Sequence, residues 1–577
     1  MSESGKAQST RFCLSLSSLC YAEFPVTRRE TASSAVLSSK EGDGSASSHL
    51  AKSAGIIGTA TLTSRLLGLV RDQVLAYLFG AGNAMDAFNV ATRIPNLMRD
   101  LFAEGAMSAA FVPTFTRHLT KHGKSHAWRL GNQLLSALIV ATGVIVIAGI
   151  IFAEPLTHLL AGAYADVPGK LELTVLLTRI LMPFLTLVAA AAAIMGMLNS
   201  LNRFFIPALS PAMYNIGIIA SGALLVPMMP GLGLDPIVAV AIGALAGAIG
   251  QVALQCPSLY REGFSFHFGF KLTDPGLREV LRLMGPGTLA GAAVQINLLV
   301  NMVLATGEGT GAVSWLGYAF RIMYLPIGLF GVSIAAAALP TVSRHAAHED
   351  FKGMRETVSR ALRLMLMLNI PATVGLIALG HPIVQLIFER GSFTNIDTAA
   401  TTAALLFYAP GLVGYSAVRI AVPAFYALGN SLIPAYISMG TVVLNIALSL
   451  LLVNLIGYEG LALGTSIAAL VNALALLTLL NLRIGGLDIK RILTTCGKVT
   501  VASFIMGLAA SVTHSWLLLT LGADSFLMRL SAVIISIGVA VLLLILTGRL
   551  LKLDELDHAW HQLLGKLGQE SKSSKAK

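Results

Sequence analysis

Fourteen stretches of this chain are apolar for about twenty residues or more, with short polar connections between them. They run roughly 53–80, 84–116, 131–154, 171–199, 204–228, 236–257, 280–306, 311–342, 357–380, 397–427, 431–455, 459–482, 494–520 and 525–550. A helix needs about 20 apolar residues to cross a hydrocarbon core, so the pattern predicts an all-α polytopic membrane protein with 14 transmembrane helices. Composition agrees: 55% of the 577 residues are hydrophobic and 12% charged, against roughly 25% charged in soluble domains. The spans use up the chain and leave no room for a large soluble catalytic domain.

Charge in the connections gives orientation. Arg117, Lys121, Lys124 and Arg129 share one connection that carries no acid, and basic character recurs at 258–282, 344–363, 483–498 and after Arg549. The connections near 80–84, 228–236 and 306–311 carry no Lys or Arg. Each basic loop follows an even-numbered span, which puts all of them, and both termini, on the cytoplasmic side. The formal charge of +11 is then a matter of topology, and no nucleic-acid partner is expected. Residues 1–52 are Ser-rich and lack the continuous apolar core of a secretory signal, so they read as a disordered cytoplasmic arm. Cys13, Cys20, Cys256 and Cys496 have no metal-ligand spacing, and no metal or cofactor is expected.

An internal repeat organises the spans. Pro113 and Pro340, Pro155 and Pro382, Pro183 and Pro410, and Pro207 and Pro434 are each 227 residues apart. Flanking residues repeat as well, with Pro113-Thr-Phe-Thr-Arg-His against Pro340-Thr-Val-Ser-Arg-His. Spans 1–6 (53–257) and 7–12 (280–482) therefore read as two copies of a six-helix lobe in the same orientation, as in transporters with parallel repeats. Residues 490–550 add two helices and 551–577 a cytoplasmic tail. Two facing lobes leave a cleft, and rocking them gives alternating access. The Gly243–Gly250 cluster reads as a surface where membrane helices approach closely.

The scaffold is duplicated but its intramembrane charges are not. Arg65, Arg71 and Asp72 lie in the first span, and Asp86, Arg93, Arg99, Asp100 and Glu104 in the second; Ala292, Leu298 and Val313 stand at the repeat positions of Arg65, Arg71 and Asp86. A charge at the bilayer centre costs about 2.5–3.5 kcal/mol even on lenient scales and faces a cavity or a partner, so the asymmetry points to ligand binding. Helical phase places Arg65 and Asp72 within about 20° and turns Arg71 roughly 100° away, so one arginine can pair with Asp72 and leave the other available. The second half adds Arg321, Arg419 and the polar Ser314. Arginine suits phosphate, because its planar guanidinium donates in pairs and stays charged when desolvated, so a cleft lined by several of them suits a di-anion. Each charge also has a structural alternative: Arg65 and Arg71 as partners of Asp72 and Asp86, and Arg99 as an ion pair with Asp100.

These residues carry a resemblance. Ser64-Arg-Leu-Leu-Gly-Leu-Val-Arg-Asp, Phe79-Gly-Ala-Gly with Asp86-Ala-Phe, Pro95-Asn-Leu-Met-Arg, Phe102-Ala-Glu-Gly-Ala and Tyr318-Ala-Phe-Arg are similar to the MurJ (MviN) family. These are lipid II flippases of the multidrug/oligosaccharidyl-lipid/polysaccharide exporter superfamily. The resemblance runs from about residue 53 to 550 and implies a fourteen-helix exporter fold in the bacterial inner membrane. It further implies lipid II, the undecaprenyl-pyrophosphate-linked disaccharide-pentapeptide, as cargo, with membrane lipids around a monomer. Position by position it implies substrate contacts at Ser64, Arg65, Arg71, Asn96, Arg99, Ser314 and Arg321, and supporting ion pairs or gating at Asp72 and Asp86; Glu104, close to Arg99 in sequence, reads as a further supporting charge. Some members carry acids immediately before the Tyr-Ala-x-Arg arginine and three residues after it; this chain has Phe320 and Tyr324 there. The force driving the cycle, an ion gradient or the membrane potential, is not legible. An exporter of drugs or of another polyprenyl-linked glycan is the nearest alternative. A membrane enzyme acting on polyprenyl phosphates is further off, since no HExxH, Walker A or paired-aspartate motif is present.

Overall fold

The computed structural model describes residues 43–100, 106–269, 271, 273–522 and 525–553. The expected arm at 1–52 and tail at 551–577 fall largely outside the described residues, and so does Glu104. In chain order the helices are α1 Asp43–Phe79, α2 Asn83–Arg99, α3 Ala106–Ile151, α4 Ala153–Ala161, α5 Lys170–Leu181, α6 Phe184–Ser200, α7 Phe205–Leu209, α8 Pro211–Leu224 and α9 Ile237–Arg261. They continue as α10 Pro275–Thr306, α11 Ala312–Pro326, α12 Val332–Ala347, α13 Phe351–Phe388, α14 Asn395–Tyr408, α15 Gly411–Ala427, α16 Leu432–Ile456, α17 Tyr458–Arg483, α18 Ile489–Leu521 and α19 Phe526–Leu550. A π-helical turn, Ile327–Gly331, joins α11 to α12. The described chain is all-helical.

Prolines set the breaks, because a proline inside a helix removes a donor and crowds the preceding turn. Pro183 separates α5 from α6, and its repeat partner Pro410 separates α14 from α15, where the pair bends by 46°. Within α3 the chain turns at Gly123 (φ 78°, ψ 177°). Acidic caps start the helices that follow polar connections: Asp274 accepts from the Leu277 amide and Asp350 from that of Gly353.

The expected number of spans is not reached by length and apolarity alone. Ten helices among the described residues qualify, or eleven if the bent α14–α15 pair is one span. Neither α1 nor α2 is among them, α3 is taken as one span across its Gly123 turn, and α10 contributes only the shorter apolar helix Gln295–Thr306. Exposed aliphatic chains such as Leu482, Leu519 and Leu550 face outward, as lipid-facing residues do.

Helices α2–α9 pack mainly on one another, and so do α11–α17, giving two bundles; α18 and α19 pack against α13 and each other. The long α10 touches both bundles, resting on α3 and also on α16. Small residues allow the tightest contact, between α8 and α9: a side chain at Gly217 would collide with the Gly243 carbonyl, and one at Gly247 would lie 2.7 Å from the Tyr214 Cα. The glycine cluster is thus a packing surface.

Candidate functional site

Three polar clusters sit where the bundles meet. The first centres on Asp72 of α1, which is 6% exposed. Arg71 donates to its Oδ1 from Nε at 3.0 Å and Nη2 at 2.7 Å, and Arg321 of α11 donates to the same oxygen at 2.7 Å. Arg71 also donates to Asn215 Oδ1 at 3.0 Å, while Asn215 Nδ2 donates to the Ser64 carbonyl at 3.1 Å. One carboxylate of α1 thus holds two guanidinium groups, one from α1 itself and one from α11 of the second bundle, leaving one net positive charge. Arg71, not Arg65, takes Asp72, because a long arginine side chain curls back onto its immediate neighbour. Arg65 is exposed and has no ion-pair partner among the described residues; its Nη1 lies 2.6 Å from where a side chain at Gly328 would stand. It therefore rests against the π-helical turn of the second bundle.

The second cluster forms around Asp86 of α2, which is fully buried. Its Oδ2 accepts from Lys170 Nζ at 2.9 Å and the Gly311 amide at 2.8 Å; its Oδ1 accepts from the Ser314 hydroxyl at 2.7 Å and amide at 3.2 Å. A carboxylate of one bundle thus caps the N-terminus of α11 in the other, where its charge complements the helix dipole. Gly311 (φ +98°) is required, since a side chain would meet the Trp315 ring at 2.5 Å and the Ala81 carbonyl at 3.0 Å. Around it the Thr310 hydroxyl donates to Asn83, the Ser392 amide to the Tyr77 carbonyl, and the Tyr318 hydroxyl to the Gly80 carbonyl. The bundles are stitched together at the face that carries the charge-poor connections.

The third cluster is a relay. Arg99 donates to Asp100 at 2.8 Å, Gln295 of α10 donates to Asp100 at 3.1 Å, and Arg93 donates to Gln295 at 2.7 Å. Arg99, expected as a substrate contact, is here the ion-pair partner of its neighbour.

Between the bundles lies a cavity of about 320 Å³ whose polar lining includes Asn89, Thr92, Arg93, Asn96, Asn297, Asn301, Arg321 and Thr465. Of the candidate residues, Asn96 and Arg321 line it, while Ser314 is buried and spent on Asp86. The cavity's cations are Arg93 and Arg321. Arg93 Nε and Asn96 Oδ1 are buried without a partner among the described residues. One wall is neutral and internally satisfied: Asn297 and Asn301 bond to Asn445, Ser449 and Thr465. The other is aromatic. Phe320 stacks on Tyr324 and meets Tyr408 and Tyr415 edge-on, and the Tyr324 hydroxyl accepts from Arg419. Phe320, Tyr408 and Tyr415 form this aromatic wall. Among the described residues no group of three or more His, Cys, Asp or Glu could hold a metal ion.

A family model described as lipid II flippase MurJ matches residues 75–550. The chain belongs to the MurJ family. Curated relatives named probable lipid II flippase MurJ include those of Vibrio cholerae, 34% identical over 74% of this chain and 82% of the relative, and Rickettsia prowazekii, 31% identical over 88% and 99%. The Burkholderia cenocepacia lipid II flippase MurJ is 32% identical over 72% and 81%. Among solved structures, lipid II flippase MurJ in an inward closed conformation superposes with a TM-score of 0.71 at 28% identity, covering 85% of this chain and 98% of that one. An inward-facing multidrug resistance MATE-family transporter of the MOP superfamily gives 0.63 at 15% identity, covering 74% of this chain and 98% of that one, and shares the fold alone.

The sequence pointed to Asp86 and Ser314 in this MurJ-family chain but missed what joins them. Lys170 lies one residue outside the predicted fourth span, and nothing in its spacing ties it to Asp86. Asn215 and Gln295 were polar residues in apolar runs, a signal that was present but unread. Arg93 is one of the intramembrane charges of the second span, and only the structure brings it to the cavity.

Proposed function

We propose that this chain is a lipid II flippase that moves undecaprenyl-pyrophosphate-linked peptidoglycan precursor across the bacterial inner membrane by alternating access. The supporting observation is the arginine-bearing cavity between two helical bundles in a chain whose family model is that of lipid II flippases. No bond is made or broken. The basic connections and both termini face the cytoplasm, the charge-poor face is outside, and the protein works as a monomer.

The pyrophosphate is held by guanidinium groups, which stay charged when desolvated and donate in pairs. Arg321 is held at the cavity wall by Asp72, and Arg93 offers an unpartnered Nε beside it. Arg65 and Arg71 extend the positive track along α1, and Asn96 supplies an acceptor for the sugar portion. Arg99, Ser64 and Ser314 act by ordering this surface, and Asp72, Asp86 and Glu104 act in ion pairs and gating.

A cavity of about 320 Å³ is at the low end of those that hold drug-sized ligands, ~300–1,000 Å³. A disaccharide-pentapeptide exceeds that, so the bundles must part to admit it. The net positive charge of the Arg71–Asp72–Arg321 cluster favours a di-anion over a cationic drug, which would need carboxylates in its place. The test is depletion of this protein in a host with no other flippase, with external accessibility of lipid II as the readout. Loss of accessibility with lipid II synthesis unchanged is expected. Unchanged accessibility would overturn the assignment, and altered lipid II chemistry would point to an enzyme.

A further inference from the structure

Asp86 divides its four hydrogen bonds unequally between the bundles. Three come from Gly311 and Ser314 across the interface, and the fourth comes from Lys170, the first residue of α5 in its own bundle. Both side chains of the pair are buried, at 1% and 0% exposure. The ammonium lies 4.0 Å from the centroid of the Tyr164 ring, so the remaining side of the charge is covered by an aromatic face. Lys170 touches neither the cavity nor any candidate substrate contact.

We propose that Lys170 is a positioning residue of the outer gate, which holds Asp86 aimed at the α11 N-terminus and remains with it when the bundles separate. With the gate shut, the carboxylate is out of water, and the three donors from the second bundle are dipoles that cannot neutralise it. Removing one partner of a buried pair strands the other, which is strongly destabilising. With the gate open, Gly311 and Ser314 leave and water reaches the carboxylate, so a missing Lys170 matters less. Losing the lysine therefore penalises the shut state more than the open one and shifts the population outward. Losing the aspartate strands the lysine and acts in the same direction. Losing both strands nothing, and an asparagine at 86 still accepts from Ser314. The inference rests on the transport reading only in taking the bundles to part at this face.

The experiment uses the full chain with its four cysteines replaced and a single reporter, Val313→Cys, on the cavity wall just inside the gate. Intact cells are labelled from outside with a membrane-impermeant maleimide. Lys170→Met and Asp86→Asn should each raise the labelling rate at least tenfold, while Lys170→Arg, which retains the charge, should stay within about threefold of the parent. The double variant Lys170→Met/Asp86→Asn should fall back toward the parent. Because Lys170→Met alone can impair insertion, the double variant and Lys170→Arg are read beside it at matched membrane levels. Unchanged labelling in Lys170→Met, or a double variant that labels as fast as the singles, would overturn the proposal. Labelling reports the gate whatever the cargo, so a failed flipping assay with the expected labelling would count against the lipid II reading and leave the gate assignment standing.

Discussion

Replacing Arg321 tests the charge logic of the cavity most directly. Arg71 and Arg321 share Asp72, each with a 2.7 Å contact to the same oxygen, so the cluster carries one net positive charge. Arg321→Gln brings that to zero, because Arg71 is 19% exposed at its side chain and remains committed to Asp72. A hydrogen bond to a charged group contributes about 1.5–3 kcal/mol, or roughly 10- to 150-fold in affinity. Affinity for undecaprenyl pyrophosphate should fall by that factor, and by less for the monophosphate, which engages fewer donors. Asp72→Asn raises the charge to two and should bind the diphosphate at least as tightly as the parent. It should nonetheless fail to flip, since the Arg321 anchor and the link between the bundles are gone. Native mass spectrometry of the purified protein gives the affinities, and external accessibility of lipid II gives the flipping. Parental affinity in Arg321→Gln, or weaker binding in Asp72→Asn, would refute the argument.

Other outcomes can be checked independently. Arg93→Gln should lower diphosphate affinity by the ~1.5–3 kcal/mol of one charged contact, measured in the same binding assay, whereas Arg179→Gln, exposed on α5, should leave it unchanged. Gly247→Val should cost at least the ~1–3 kcal/mol of overpacking, read as a lower midpoint in detergent thermal unfolding, because the α8 backbone has no room to retreat. Gly311→Ala should weaken the gate and speed outside labelling of the Val313→Cys reporter, since the side chain would enter the Trp315 ring. Glu262 lies in the basic connection after α9, where hydrogen bonds from Lys124 and Arg203 hold its carboxyl below the ordinary carboxylate range. A depressed folded-state pKa gives stability that is present above the unfolded value and lost as pH falls through the folded one. Protease resistance of the 262–274 connection should therefore hold from neutral pH down to about 4.3 and decline only below it.

Much of the architecture was legible because hydropathy and proline spacing are one-dimensional signals. Pro183 and Pro410 announced matching breaks, and the structure puts a helix boundary at both. Charges inside apolar runs announced a polar interior, since lipid cannot solvate them. Partner choice was not legible. Arg65 and Asp72 share a helical face, yet Arg71 takes the carboxylate, because the outcome turns on side-chain reach and on Asn215, 144 residues away. Arg99 is compatible in sequence with a substrate contact or an ion pair; the structure pairs it with Asp100, whose other oxygen accepts from Gln295, 195 residues away.

By itself the sequence determined the solvent, the helices, the duplication and the excess of guanidinium groups on one side of that duplication. These follow from the local free energy of each residue in water or lipid. Only the tertiary structure decided that Lys170 meets Asp86, that Asp86 caps a helix of the other bundle, and that Arg93 and Arg321 line one cavity. Those contacts depend on which helices lie side by side, a collective result of packing that no single stretch of chain encodes.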